Sequence, residues 1–333
     1  MSTTTADPFT LAELDAAADL VGRYVPPTPQ YAWPLLAEAT GAEVWVKHEN
    51  HTPTGAFKVR GGLVFVDRHV RDARALGVDP RALISATRGN HGQSLAFAGR
   101  TFGVDVTIVV PHGNSPDKNR AMRGFGANLI EHGRDFQAAR EHAAALADER
   151  DLHMVPSFHP DLVLGVATYA REFLLGSGGL HTVYVPVGMG SGICAHIAVR
   201  DLFALQTEVV GVVAERAPAT ALSFAAGEVV NTDTADTMID GVACRAPDGA
   251  AIRAIVAGAS RIVGVSDDLC AEAVRMLFAT THNMAEPAGA IALAGLLAER
   301  DRQHGNRVGV ALSGGNIDAP MLTEIMAGMT PIV

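Results

Sequence analysis

Residues 182–199 read TVYVPVGMGSGICAHIAV, and this stretch decides the fold class. A short run of β-branched residues leads into a glycine-rich turn, which leads into an alanine-rich run typical of a helix. The stretch has no Asp, Glu, Lys or Arg and could pass for a membrane span. Because it contains Pro186, several glycines and His196, we instead predict a buried strand, a loop and the start of a helix, with no membrane contact.

The same order of strand, turn and helix recurs along the chain. Strands that alternate with helices in this way form a mostly parallel sheet, with ligand-binding loops at the carboxyl ends of the strands. The sequence therefore predicts an α/β protein. The other stretches with this pattern are residues 82–99, 106–122, 208–222, 261–274 and 308–322.

Composition and charge exclude several classes of protein. The 333 residues are 48% apolar and 19% charged, which is enough to build two lobes around buried cores. The chain has 26 basic and 36 acidic side chains and no Lys/Arg-rich run, so we expect no nucleic-acid partner. Cys194, Cys244 and Cys270 lack a CxxC spacing, and the N-terminus lacks a signal-peptide pattern. We therefore expect a cytoplasmic protein without a disulfide framework.

A single lysine stands out in VWVKHENHTPTGAFKVRGG, residues 44–62. The chain turns through Pro53 and Gly55 and places Lys58 beside Phe57, where a helix is predicted to begin. The partial positive charge of a helix N-terminus and the apolar neighbour both disfavour the ammonium form. A neutral amine suits Schiff-base chemistry. An ordinary surface lysine is the alternative interpretation.

Two further loops follow apolar strands. In VPVGMGSGICAHIA, residues 185–198, the glycines could bring backbone N–H groups around a phosphate at a helix N-terminus. A degenerate dinucleotide-binding loop, or glycines required only for packing, would give the same pattern. The G-x-x-x-x-G-K-S/T motif of nucleoside-triphosphate sites is missing, so we do not expect such a site. In VALSGGNID, residues 310–318, the pattern is equally typical of a loop with an Asx turn.

Taken together, five ordered motifs carry a family resemblance. TGAFKVRGG, GNHGQS, PVGMGSG, EPAGAIALA and SGGNID resemble the pyridoxal-phosphate (PLP) enzymes of fold type II, and in particular their serine/threonine dehydratase and serine racemase branch. The likeness extends from about Thr10 to Asp318. It implies a tryptophan synthase beta-like fold with two domains and mostly parallel twisted sheets flanked by helices. The large PLP-binding domain would comprise residues 1–70 and 160–333, and a small mobile domain residues 71–159.

The resemblance also implies the cofactor site. Lys58 would hold PLP as a Schiff base and then act as the base on the substrate's α-proton, while Asn90 would bind the phenolic oxygen. Ser313 would face the pyridine nitrogen. A hydroxyl cannot keep that nitrogen protonated as a carboxylate could, so the ring is a weaker electron sink and loss of a β leaving group is favoured over transamination. The residues matched to cofactor-binding positions are Phe57, Lys58, Asn90, Gly188, Met189, Gly190, Ser191, Gly192, Gly241, Glu286 and Ser313.

The phosphate loop departs from the family's usual run of four glycines. Met189 and Ser191 replace two of them, so the loop should avoid positive φ at both positions. Asp240 and Gly241 match a loop that closes over the site.

The substrate's α-carboxylate would bind the loop formed by Thr87, Arg88, Gly89, Asn90 and His91. Arg88 departs from the family, because dehydratases tend to have a small residue here and serine racemases a serine that acts on the opposite face of the α-carbon. Arginine stays protonated, so racemisation is not expected. Its side chain either turns toward solvent or the domain boundary, or points into the cleft to meet a second negative group on the substrate.

A cation site is a further implication. Glu215 and Ala219 resemble the Mg²⁺ or Ca²⁺ position of serine racemases, but Ala221 stands where those enzymes have another carboxylate. We therefore expect at most weak binding of a divalent or monovalent cation, and Glu215 as a plain loop carboxylate is the alternative.

The sequence thus predicts a PLP-dependent ammonia-lyase, and a homodimer like its relatives. It would eliminate water from a small 3-hydroxy amino acid of the serine and threonine class, giving a 2-oxo acid and ammonia. One alternative is a dehydratase for an acidic or bulky substrate such as 3-hydroxyaspartate. Another is a different β-eliminating or β-replacing enzyme of the same fold type, and a more distant one is a non-catalytic ligand-binding protein.

Overall fold

The computed structural model describes residues 8–332. Residues 1–7 and 333 lie outside this range, and with them the beginning of the stretch searched for a signal peptide. All six predicted units of strand, turn and helix form, so the prediction of an α/β fold is confirmed. The strands are β1 (Gln30–Ala32), β2 (Glu43–His48), β3 (Leu83–Ala86), β4 (Val106–Val110), β5 (Asn128–Glu131), β6 (His153–Met154), β7 (Thr182–Pro186), β8 (Glu208–Ala214), β9 (Arg261–Val265) and β10 (Arg307–Leu312).

The helices connect and cover these strands. They are α1 (Leu11–Gly22), α2 (Pro34–Thr40), α3 (Lys58–Ala75), α4 (Asn90–Phe102), α5 (Pro116–Gly124), α6 (Phe136–Glu149), α7 (Pro160–Gly176), α8 (Ser191–Leu202), α9 (Ala219–Ala226), α10 (Gly249–Gly258), α11 (Asp267–Thr281), α12 (Pro287–Ala298), α13 (Arg300–Gln303) and α14 (Ala319–Met326). Short 3-10 turns lie at Glu49–His51 and Asp240–Val242. No helix in residues 8–332 is long and apolar enough to cross a bilayer.

The larger sheet has six strands in the order β1-β2-β10-β7-β8-β9. All neighbouring pairs are parallel except β1 and β2, which pair antiparallel at the edge. The central strands are almost continuously buried, as expected for a parallel sheet with helices on both faces. The carboxyl ends of β7 and β10 lead into the two glycine-rich loops singled out in the sequence.

The smaller sheet has four parallel strands in the order β5-β4-β3-β6. Its strands come from one stretch of chain inserted between β2 and β7 of the larger sheet. The predicted domain boundary at residue 70 lies inside α3, and the boundary at residue 160 lies at the first residue of α7. The separate sheet is consistent with a second domain, and its mobility stays a prediction.

A buried ionic network lies beneath the first turns of α3. Arg60 is fully buried and donates two hydrogen bonds to Glu49, from Nε (2.8 Å) and Nη2 (2.9 Å). Its Nη1 also donates to Glu172 on α7 (2.7 Å), which in turn accepts from Lys47 on β2 (2.6 Å). Two cations thus balance two carboxylates, so that neither sign of charge is left uncompensated in the interior. The network ties α3 to β2 and α7.

Candidate active site

The predicted lysine is the first residue of α3, and its position is set by the loop after β10. The backbone N–H of Phe57 donates to the carbonyl of Ser313 (3.0 Å), and Ala56 forms an isolated bridge with Gly314. The Ser94 hydroxyl on α4 donates to the carbonyl of Lys58 (2.5 Å). The structure therefore brings Ser313 to Phe57 and Lys58, although Ser313 lies far from both in the sequence.

The amine of Lys58 lies beside an aromatic ring and has no polar partner among the described residues. It lies 4.7 Å from the centroid of the Phe57 ring, and it makes no hydrogen bond or ion pair within residues 8–332. Burial lowers the pKa of Lys58 to about 8, although Glu286 acts in the opposite direction. The same side chain lines a small cavity with His91 and Ser191, which belong to the two predicted anion-binding loops. At the point where these loops meet, the neutral form of the amine is therefore reached at a lower pH than in an ordinary lysine.

This pKa gives a testable pH dependence. In the cofactor-free protein, reductive methylation of Lys58 with formaldehyde and cyanoborohydride should reach half its maximal rate near pH 8, because the neutral amine is the reactive form. Peptide mass spectrometry across a pH series measures the rate at this one residue. The urea-unfolded chain is the control, with an expected midpoint of about 10.4. A folded-state midpoint near that of the unfolded chain would contradict the assignment.

The glycine-rich loop after β7 has the form of an anion cradle. Gly190 has φ +99° and precedes α8, whereas Met189 and Ser191 avoid positive φ, as predicted. None of the backbone N–H groups from Gly188 to Gly192 donates a hydrogen bond within residues 8–332. A Cβ at Gly188 would lie 2.6 Å from the carbonyl oxygen of Gly241. Gly188 therefore has to lack a side chain, and Gly241 packs directly against this loop. Unpaired amides at a helix N-terminus fit a phosphate group.

The half-buried Asn90 and the buried Glu286 form a pair beside the lysine. The Asn90 amide donates to Oε1 of Glu286 and accepts from the amide of Asn316 (2.8 Å). Oε2 of Glu286 has no hydrogen-bond partner within residues 8–332. Ser313 lies nearby, and its hydroxyl donates to the carbonyl of Ala288 (3.1 Å) at the start of α12. These groups therefore come from three segments, namely the start of α4, the start of α12 and the loop after β10, and meet at one position.

The predicted carboxylate loop lies at the start of α4. The Thr87 hydroxyl accepts from the N–H of Gly89 (3.2 Å), while the N–H groups of Asn90 and His91 find no acceptor within residues 8–332. Burial and Lys58 lower the pKa of His91 to about 3, so its ring is neutral. Arg88 is exposed and forms no ion pair with any described residue. Its carbonyl, in contrast, accepts from Asn114 (3.1 Å).

Comparison with known proteins decides the family. Residues 21–314 match the family model described as pyridoxal-phosphate dependent enzyme. The chain belongs to this family. Pyridoxal phosphate is its cofactor, and the geometry fits that group, since an unpaired amine faces a cradle of unpaired amides.

Three relatives indicate the branch. The L-threo-3-hydroxyaspartate ammonia-lyase of Saccharomyces cerevisiae is 28% identical over 94% of each chain. The L-threonine ammonia-lyase of Thermotoga maritima is 30% identical over 88% of this chain and 72% of the relative. The crystal structure of a threonine deaminase from T.th. superposes with a TM-score of 0.83, at 30% identity, over 93% of this chain and 99% of that chain. This PLP-dependent enzyme thus resembles ammonia-lyases in both sequence and structure.

Lys118 is a residue of this PLP-dependent enzyme that the sequence analysis did not single out. It is buried, and its Nζ donates to Asp240 (2.6 Å) and lies 3.5 Å from Oε2 of Glu286. A signal for it exists in the composition, because the chain has only three lysines, Lys47, Lys58 and Lys118, beside 23 arginines. Each of the three is at least partly buried, and Lys58 and Lys118 belong to the site.

The predicted cation position lies apart from the Lys58 cluster. Glu215 is exposed at the end of β8, and the carbonyl of Ala219 accepts from the hydroxyl of Ser223 (2.7 Å) within α9. Among the residues that the structure describes, no three His, Cys, Asp or Glu side chains are grouped closely enough to hold a metal ion. Cation binding by this PLP-dependent enzyme stays a prediction.

Proposed function

We propose that this PLP-dependent enzyme is an ammonia-lyase that eliminates water from a small 3-hydroxy amino acid, releasing a 2-oxo acid and ammonia. The observation that carries the proposal is the amine of Lys58, which has no partner in the described part of the chain and lines one cavity with His91 and Ser191. Two kinds of ammonia-lyase relative, acting on threonine and on L-threo-3-hydroxyaspartate by name, support the same reaction class.

The residues of the chain have separable tasks in this reaction. When bound, the cofactor supplies an electron sink for negative charge at the substrate's α-carbon. The N–H groups of Asn90 and His91 hold the substrate's carboxylate, and because His91 is neutral it adds no charge there. The Lys58 amine accepts the α-proton. Ser313 places an uncharged hydroxyl, not a carboxylate, beside the cofactor site, which favours loss of the β-hydroxyl over competing reactions.

A substrate panel tests the proposed activity. The PLP-loaded protein should release ammonia and a 2-oxo acid from serine or threonine without a second nucleophile. Borohydride reduction should add the mass of the reduced cofactor at Lys58. Product that forms only when a thiol or amine is supplied would instead identify a β-replacement enzyme, and a colourless protein without the mass increase would overturn the proposal.

The choice of substrate depends on Arg88. We propose neutral substrates of the serine and threonine class, because the side chain is exposed to solvent instead of lying in the cavity beside Lys58. The alternative, an acidic substrate such as 3-hydroxyaspartate, has one specific point in its favour. The guanidinium has no carboxylate partner within residues 8–332, so it is free to meet one on a ligand.

Substitution of Arg88 separates the two. We expect Arg88→Ala to change kcat/KM for serine, threonine and both 3-hydroxyaspartate diastereomers by less than about threefold, because an exposed guanidinium contributes little binding energy. Arg120→Ala, which removes an exposed arginine from α5, is the matched control. A loss of about tenfold or more that is confined to 3-hydroxyaspartate would show that Arg88 binds the second carboxylate.

We propose that the protein is a homodimer. Large apolar side chains are exposed on neighbouring elements, namely on β1, α2 and α11, in the loop that follows α11 and on α14. They are Tyr31, Leu35, Phe278, Met284 and Met326. Such side chains are typical of a surface that is covered in an assembly. Sedimentation velocity should give twice the 34.8 kDa chain mass, and a single-chain mass would refute the dimer.

We also retain the cytoplasm as the proposed location. Cys194, Cys244 and Cys270 are all free thiols, which is typical of a reducing compartment. The mobility of residues 71–159 is likewise a proposal, supported by the separate four-stranded sheet.

A further inference from the structure

Lys118 connects the two sheets across the candidate site. It lies in the first turn of α5, beside the smaller sheet, and its buried ammonium donates to Asp240 (2.6 Å). Asp240 belongs to the 3-10 turn that packs against the glycine-rich loop of the larger sheet. The Ser115 hydroxyl, at the N-cap of α5, likewise donates a hydrogen bond to Asp318 (2.5 Å), which lies in the loop after β10 of the larger sheet. Both contacts therefore run between the part of the chain that carries the smaller sheet and loops of the larger sheet, and the ammonium of the first contact is buried.

The same ammonium is the ion-pair partner of Glu286. That side chain is 1% exposed, and Oε2, its atom without a hydrogen bond, lies 3.5 Å from Nζ of Lys118. Burial raises the pKa of Glu286, Lys118 acts in the opposite sense, and Asp240 adds to the rise. Lys58 also faces this carboxylate. Without Lys118, two carboxylates would share the pocket, and Glu286 would take up a proton at a higher pH.

Lys118 also contacts the carboxylate loop directly. A Cβ at Gly89 would lie 2.7 Å from Cδ of Lys118, so the absence of a side chain at Gly89 makes room for the lysine. Through Glu286, the ammonium acts on Asn90, the next residue of that loop, because Glu286 accepts from the Asn90 amide. The Lys118 side chain thus contacts Gly89 of the carboxylate loop, Asp240 in the turn beside the glycine-rich loop, and Glu286, which accepts the hydrogen bond from Asn90.

The charges argue against a role in binding substrate. Asp240 and Glu286 already compensate the ammonium, and no free positive charge remains for an anionic ligand. We propose that Lys118 is a positioning residue that links the two sheets and favours the ionised form of Glu286, and so determines how Asn90 meets the bound cofactor. This inference rests on the cofactor site of the proposed function, and its test uses no substrate.

The test follows the cofactor's absorption spectrum in the holoenzyme as pH is varied. In Lys118→Met, we expect the transition caused by protonation of Glu286 to move upward by about one pH unit or more. PLP affinity should fall by about tenfold, measured by titration of the apoprotein. Lys118→Arg should restore both toward wild type, because it keeps the charge. Arg120→Met, on the exposed side of α5, should change neither.

The same substitution in a Glu286→Gln protein tests whether the pH effect acts through Glu286. In Glu286→Gln, adding Lys118→Met should shift no pH transition, because the titrating group is gone. A Lys118→Met protein that unfolds more easily but keeps the wild-type transition and PLP affinity would show a merely structural lysine and overturn the proposal. If Lys118→Met does not fold, Asp240→Asn decides: because Asp240 raises the pKa of Glu286, its removal should move the transition to lower pH, and an unchanged transition would equally overturn the proposal. Failure of ammonia release alone would instead count against the proposed reaction.

Discussion

Lys58→Ala should reduce ammonia release by about 10³-fold or more, because it removes the amine assigned to take the α-proton. The loss should appear in kcat, since the unpaired amides at Gly188–Gly192 still bind the cofactor's phosphate. Borohydride should no longer add mass to the chain. Stopped assays with serine and threonine, combined with intact-protein mass spectrometry, make both measurements.

The control for this substitution lies on the same helix. Arg71→Ala removes a side chain that is 64% exposed on α3 and should leave activity unchanged. Circular dichroism and thermal unfolding check that Lys58→Ala keeps the fold. A folded Lys58→Ala protein that releases ammonia within about tenfold of wild type would mean that another group takes the proton.

Arg60→Met should destabilise the fold by about 3–5 kcal/mol, because it leaves the buried Glu49 carboxylate without the guanidinium that is hydrogen-bonded to it. Glu49 is fully buried and accepts two hydrogen bonds from Arg60, and Glu172 would lose a partner as well. Methionine has a similar volume, so the loss would report charge and hydrogen bonding more than packing. Urea unfolding at constant pH measures the free energy of unfolding.

A second arginine on α3 provides the comparison. Arg68 pairs with Asp161 and Glu13, but a third of its side chain is exposed to water, so Arg68→Met should cost only about 0–1 kcal/mol. The double variant Arg60→Met/Glu49→Gln should recover part of the loss, since it also removes the unpaired charge. Equal losses for Arg60→Met and Arg68→Met would contradict a special role for the buried network.

The sequence determined the elements that local chemistry specifies. The strand, turn and helix units at residues 82–99 and 182–199 form as predicted, because β-branched runs, glycine turns and alanine-rich helices are each encoded within a short window. Lys58 at a helix start beside Phe57, and the absence of positive φ at Met189 and Ser191, were predictable for the same reason. The five motifs in their order were enough to indicate the family and the cofactor.

Tertiary structure alone decided which distant side chains meet. Lys118 and Asp240 are separated by 122 positions, and Arg60 and Glu172 by 112, so no local pattern marks either pair. The exposure of Arg88 was equally beyond the sequence, which permitted both directions for its side chain. The physical reason is that burial and charge pairing depend on how the sheets and helices pack, whereas secondary structure and turns depend mainly on neighbouring residues.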